Sequence, residues 1–133
     1  MQAEVARTLP AARLPIVVVV DDDPAVCSSL KFSLELEGFS VRAYGSGDEF
    51  LKGGATGADC LVIDQRMPMM SGMELIAKLR GQNISTPAVL MVSQPNTAVA
   101  ARAAKAGVPI VEKPFLGNAL FDSIRQACRG NAG

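Results

Sequence analysis

Asp59-Cys60-Leu61-Val62-Ile63-Asp64-Gln65-Arg66-Met67-Pro68-Met69-Met70-Ser71-Gly72 is the stretch around which the rest of the chain can be read. Asp59 to Ile63 reads as a strand whose apolar run, Cys60 to Ile63, ends abruptly on the carboxylate of Asp64. Such a run, bounded by turn formers, reads as a strand buried on both faces. Pro68 and Gly72 break it, and Ser71 with Glu74 three residues later fits a capping box. Leu75, Ile76 and Leu79 supply the buried side of the helix that follows. The stretch therefore predicts a strand that delivers one acid to the rim of a sheet.

Outward from it the same unit recurs. Ile16 to Val20 is an unbroken β-branched run that stops at Asp21-Asp22-Asp23-Pro24. An acid before a proline is a helix start, so Asp23 is the expected cap. Val26, Leu30 and Leu34 form the apolar stripe of that helix, and Gly38 is its stop. Phe39 to Tyr44 reads as a second strand, with Phe39, Val41 and Ala43 on one face. Ser46 and Glu49 fit a second capping box, for a short helix through Leu51. Downstream, Ala88 to Val92 is an apolar strand after Pro87. Thr97 to about Ala106 is an alanine-rich helix ended by Gly107. Val108 to Val111 reads as a last strand, Glu112-Lys113-Pro114 as a turn. Phe115, Leu120, Ile124 and Ala127 mark a final amphipathic helix. Five strands alternating with five helices imply an α/β fold, a parallel sheet covered on both faces with right-handed crossovers.

Composition narrows the chemistry. The 133 residues hold 13 lysines and arginines against 13 acids, so no basic field grips nucleic acid. Histidine is absent, which excludes histidine general acid–base catalysis, serine–histidine triads and histidine metal sites. Cys27, Cys60 and Cys128 form no CxxC pair and read as small buried residues in a reducing compartment. No apolar run reaches the roughly 20 residues that span a bilayer, and Ile16 to Val20 is too short for a signal-peptide core. A cytoplasmic location is expected. No glycine-rich phosphate loop occurs either.

In an open α/β sheet the active crevice lies beyond the carboxyl ends of the strands. Asp21 and Asp22 follow the first strand, Asp64 the third, Ser93 the fourth and Lys113 the fifth. Clustered carboxylates repel one another unless a cation joins them, and a small set of hard oxygens suits Mg2+. Aspartate can act as a nucleophile and form an acyl phosphate. Lys113 would stabilise a phosphoryl oxygen as a point charge, and the Ser93 hydroxyl could donate to another. Taken singly, each residue also reads as a helix cap, a turn former or a solvated lysine. Their joint occurrence at four of five strand ends is what those readings do not predict.

The motifs Val20-Asp21-Asp22-Asp23-Pro24-Ala25-Val26, Asp64-Gln65-Arg66-Met67-Pro68-Met69-Met70-Ser71-Gly72 and Glu112-Lys113-Pro114-Phe115 resemble those of response-regulator receiver domains, FixJ-type ones in particular. The resemblance covers about residues 16–128. It implies a flavodoxin-like (βα)5 three-layer sandwich with strand order 2-1-3-4-5, a receiver domain over 16–129, and tails at 1–15 and 130–133. It also implies roles. Asp64 is the phosphoacceptor. Asp21, Asp22, Asp64 and the backbone carbonyl of Arg66 hold Mg2+. Ser93 is the switch hydroxyl, Lys113 stabilises the phosphoryl group, and the Lys113–Pro114 bond is cis. The implied donor is a phosphohistidine on a sensor histidine kinase or phosphotransfer protein. The implied activity is self-catalysed phosphorylation and dephosphorylation rather than enzymatic turnover, with phosphorylation-dependent homodimerisation as one output.

The chain departs from the family pattern in places. Ile110 stands where an aromatic residue usually precedes the Glu112 position, so no ring can rotate there. Gln94 follows the hydroxyl where a small residue is common. Ser93 to Gly107, and Gly107 to Lys113, are each one residue shorter than in many relatives of this type. These departures motivate an alternative, a receiver-like adaptor that binds partners without phosphorylation. Retention of Asp21, Asp22, Asp64, Ser93 and Lys113 argues against it. An aspartyl phosphatase would need a second acid two residues beyond the nucleophile, where Arg66 stands. No helix-turn-helix pattern occurs in residues 1–133, so no nucleic-acid binding is expected of this segment, and the shortness of its apolar runs leaves no membrane contact expected either.

Overall fold

A computed structural model of the chain describes residues 13–53, 57–94, 96–113 and 118–132. The order is β1 (Ile16–Val20), α1 (Pro24–Leu36), β2 (Ser40–Tyr44), α2 (Gly47–Gly53), β3 (Cys60–Asp64), α3 (Gly72–Gly81), β4 (Ala88–Val92), α4 (Thr97–Ala106), β5 (Ile110–Glu112) and α5 (Ala119–Ala132). The strands form one parallel sheet ordered β2-β1-β3-β4-β5, as the family resemblance implies.

Two apolar layers hold the sheet. Alternate side chains of β1 and β3 point to opposite faces, as the two-residue period of a strand requires. Val18, Val20, Leu61 and Ile63 pack with Phe50, Leu75, Ile76 and Leu79 on one side. Val17, Val19, Cys60 and Val62 pack with Leu30, Leu34, Leu120 and Ile124 on the other. Every residue of β3 and of β4 is buried, which is why both read as continuous apolar runs.

The helix starts follow local chemistry. The Asp23 carboxylate accepts from the Ala25 N–H at 2.9 Å, and Pro24 opens α1. Gly38, just past that helix, has φ +99°. At α3 the Ser71 hydroxyl accepts from the Glu74 N–H while the Glu74 carboxylate accepts from the Ser71 N–H, a complete capping box. At α2 the box is shifted. The Ser46 hydroxyl accepts from the Glu49 N–H, but the Glu49 carboxylate takes the Gly45 N–H.

Three local expectations are corrected. The last strand begins at Ile110 instead of Val108. Gly107 closes α4 at φ +73°, Val108 donates to the Ala103 carbonyl inside that helix stop, and Pro109 has no N–H for a ladder. The short helix α2 runs to Gly53, beyond Leu51. The last helix continues to Ala132, past residue 129. The Lys113–Pro114 bond, Phe115 and residues 1–12 lie outside the described residues.

Candidate functional site

The sheet register brings the predicted acids together. Val20 lies opposite Ile63 on the neighbouring strand, so Asp21 and Asp64 leave adjacent strands at the same level. Between these two strands the chain reverses its direction of growth across the sheet, the topological switch point at which such folds form their crevice. Asp64 pairs with Met91 and Val92 with Glu112, which carries the level across to Lys113. The Lys113 N–H donates to the Val92 carbonyl at 2.7 Å, which anchors its backbone to the end of β4.

One carboxylate oxygen each from Asp21, Asp22 and Asp64 lies within 4.8 Å of the others. Asp21 and Asp64 are buried, at 1% and 4% exposure, and Asp22 is exposed. The Lys113 ammonium donates to Asp21 Oδ2 at 2.9 Å and lies 3.1 Å from Asp64 Oδ1. One cation thus faces three acids. Burial raises the Asp64 pKa above the ordinary carboxylate range; the Lys113 hydrogen bond opposes this and the charge of Asp21 adds to it. Burial alone would lower the Lys113 pKa, but its hydrogen bonds to Asp21 and Asp64 hold it above the usual lysine value. A further cation is the physical complement of this cluster. Its donors are all hard carboxylate oxygens, one of them exposed, a set that suits Mg2+ with several retained waters.

Arg66 and Ser93 sit on the neighbouring wall. Both are exposed and line a cleft of about 310 Å³ with Gln65, Met67, Ser71 and Gln94. Ser93 makes no hydrogen bond to Asp64 or Lys113 among the described residues, so it flanks the acidic cluster without joining it. Ile110 is half-buried at the start of β5 and lines a smaller cavity of about 160 Å³ with Val92, Val99 and Ala100.

Two positioning residues were not anticipated. The Gln65 side-chain oxygen accepts from the Met73 N–H at 2.9 Å, its own N–H donates to the Met91 carbonyl at 2.9 Å, and its carbonyl accepts from the Gly72 N–H at 3.0 Å. Gln65 thereby ties the end of β3 to both β4 and the start of α3. Gly72 is the second: a Cβ there would stand 2.6 Å from the Asp64 carbonyl oxygen and 2.7 Å from Leu90 Cδ1. The glycine was visible in sequence as a turn former. Nothing in sequence marked Gln65.

None of the cysteines competes for this chemistry. Cys60 is buried, Cys27 and Cys128 are half-buried, and burial is the main cause raising all three thiol pKa values. Cys27 donates to the Asp21 carbonyl at 3.2 Å and so supports the acidic loop from behind.

The family model for the response regulator receiver domain matches residues 17–125. The chain is a response-regulator receiver domain. It belongs to the class of two-component modules that accept a phosphoryl group. This receiver is 37% identical over 116 residues to the transcriptional regulatory protein FixJ of Rhizobium meliloti, covering 84% of the chain and 55% of that protein. It is 34% identical to FixJ of Bradyrhizobium diazoefficiens over 115 residues, 85% of the chain and 56% of the relative. The chain spans about half the length of these curated relatives. Among solved structures, FixJ-N superimposes with a TM-score of 0.79 at 33% identity, over 89% of this chain and 96% of that one. The response regulator StyR gives 0.83 at 37% identity, over 90% and 62%. Among the described residues no helix is long and apolar enough to cross a membrane.

Proposed function

We propose that Asp64 is the residue that accepts the phosphoryl group, from the phosphohistidine of a sensor kinase or phosphotransfer protein. The observation that carries this reading is the Lys113 ammonium held between the carboxylates of Asp21 and Asp64 at the switch point of the sheet. A carboxylate oxygen of Asp64 attacks phosphorus, the bond from phosphorus to the donor imidazole nitrogen breaks, and an acyl phosphate results. Lys113 then has a phosphoryl oxygen to bind in place of the Asp64 charge. Ser93, exposed on the adjoining cleft wall, is within the loop that can turn its hydroxyl toward the new group.

Asp21, Asp22, Asp64 and the Arg66 carbonyl would hold Mg2+. The bound ion would supply charge neutralisation and orientation for the phosphoryl oxygens. The reading extends to hydrolysis of the acyl phosphate on the same residues, to a cytoplasmic location beside the kinase's phosphohistidine, and to homodimerisation on phosphorylation. Nucleic-acid and membrane contacts are not assigned to this segment.

Intact-mass spectrometry after incubation with Mg2+ and acetyl phosphate tests the reading. One phosphoryl adduct is expected in the wild type, lost when EDTA replaces Mg2+. A wild type that stays unmodified under saturating donor would overturn it.

A further inference from the structure

Away from the acidic cluster, a groove of about 430 Å³ is lined by α3 and α4. Met73 and Ile76, both buried, close its floor on the α3 side; Ala77 on α3 and Ala106 on α4 are its exposed apolar walls. The short alanine side chains leave the space open. Arg80, Arg102 and Lys105 complete the lining, and no acid does. In a chain whose charges cancel, 13 against 13, this is a local excess of three cations on an apolar trough. Neither Arg102 nor Lys105 forms a salt bridge among the described residues, and both are exposed. The Arg80 guanidinium uses one nitrogen on the Ile84 carbonyl at 2.9 Å and keeps its other donors. Glu74, outside the groove lining, is the nearby acid whose charge acts on Arg102; one of its carboxylate oxygens accepts from the Ser71 N–H.

Cations in the last turn of a helix also complement its dipole, which accounts for Arg80 and Lys105 without a ligand. Arg102, in the middle of α4, has no such role. The trough has no aromatic side chain on which a base could stack, and its apolar floor offers nothing to phosphates. Carboxylates interspersed with aliphatic side chains match both features. Helix-in-groove recognition uses this pattern, with apolar anchors at i, i+3, i+4 and i+7.

We propose that the α3–α4 groove docks an acidic amphipathic segment of a partner protein. Its apolar side chains lie on the exposed Ala77 and Ala106, over a floor closed by the buried Met73 and Ile76, and its carboxylates pair with Arg80, Arg102 and Lys105. This goes beyond the phosphoacceptor reading and does not depend on it.

The test is a titration of 15N-labelled protein with a synthetic helical peptide, leucines at the anchor positions and glutamates between them. Matched probes are the same peptide with lysines for glutamates and a short duplex DNA. Expected are shifts at the amides of Ala77, Arg102 and Ala106, and binding about tenfold weaker when salt rises from about 0.05 to 0.5 M. The double variant R102E/K105E should lose about tenfold in affinity or more while keeping the acetyl-phosphate adduct, since both residues are exposed and outside the acidic cluster. D64A should bind the acidic peptide like the wild type. Acidic-peptide binding in a protein that takes no phosphoryl adduct would support the groove and refute only the phosphoacceptor reading. Unshifted groove amides, unchanged affinity in R102E/K105E, or equal binding of the lysine peptide or the DNA at the same amides would each overturn the proposal.

Discussion

At the scale of single residues, Asp64 is a carboxylate under tension between two demands. Nucleophilic attack needs it ionised, and its burial beside Asp21 favours the protonated form. In metal-free buffer the folded state therefore keeps the Asp64 proton to higher pH than the unfolded chain does. Wild-type stability should fall as pH rises from the ordinary carboxylate range through the raised Asp64 pKa, then level off. D64N removes the charge but keeps an oxygen for Lys113. It should melt about 2–5 °C above the wild type at pH 7 in EDTA, and the gain should shrink toward zero as pH falls through that window. Thermal melts over a pH series check this; a D64N variant less stable than wild type at pH 7 contradicts it. The acids, the hydroxyl and the lysine were all legible in sequence as strand-end residues. Their pairing was not, because Lys113 meets Asp21 across 92 positions of chain and only the sheet register brings them together.

Elements explain how that geometry is held. The loop from Gln65 to Ser71 leaves β3 and returns at α3 with Gly72 pressed against the Asp64 carbonyl. G72A puts a methyl group onto backbone rather than onto a yielding side-chain tip. It should destabilise the domain by about 2–3 kcal/mol, at the upper end for overpacking, and lower the extent of acetyl-phosphate modification with it. Chemical denaturation and intact mass read the two effects; a loss below about 0.5 kcal/mol would show that the loop relaxes freely. The strands at 16–20 and 88–92 and the Ser71–Glu74 capping box were read correctly because each rests on contiguous residues. The last strand was misplaced because Val108 looks β-branched and apolar while its N–H belongs to the stop of α4. Gln65 escaped notice for a related reason: its three bonds run to β4 and α3, none of them visible in a linear pattern.

For the whole molecule, the strand order predicts a gradient of local stability. β1, β3 and β4 each have a neighbour on both sides, whereas β2 and the three-residue β5 are edges. Amides of Val18, Val62 and Leu90 should exchange with deuterium only through global unfolding. Those of Ser40, which donates to the Pro15 carbonyl, and Val111 should exchange through lower-energy openings, measurably faster. Equal protection across all five strands would contradict this. β5 carries both Ile110 and, one residue past its end, Lys113, so an edge strand links the acidic cluster to the cavity beside Ile110. The fold class was legible from the alternation of apolar runs and helical stripes. The order of strands came from resemblance to a family, since periodicity alone says nothing about which strand lies beside which.

The central claim is that Asp64 itself carries the phosphoryl group. Borohydride reduces an aspartyl phosphate to the alcohol and leaves free carboxylates and phosphoserine unchanged. After treatment with acetyl phosphate and Mg2+, then borohydride, tandem mass spectrometry of the peptide spanning β3 should find the reduced side chain at residue 64 and at no other acid. Reduction at Asp21 or Asp22 instead, or an adduct resistant to borohydride and mapped to Ser93, would contradict the account.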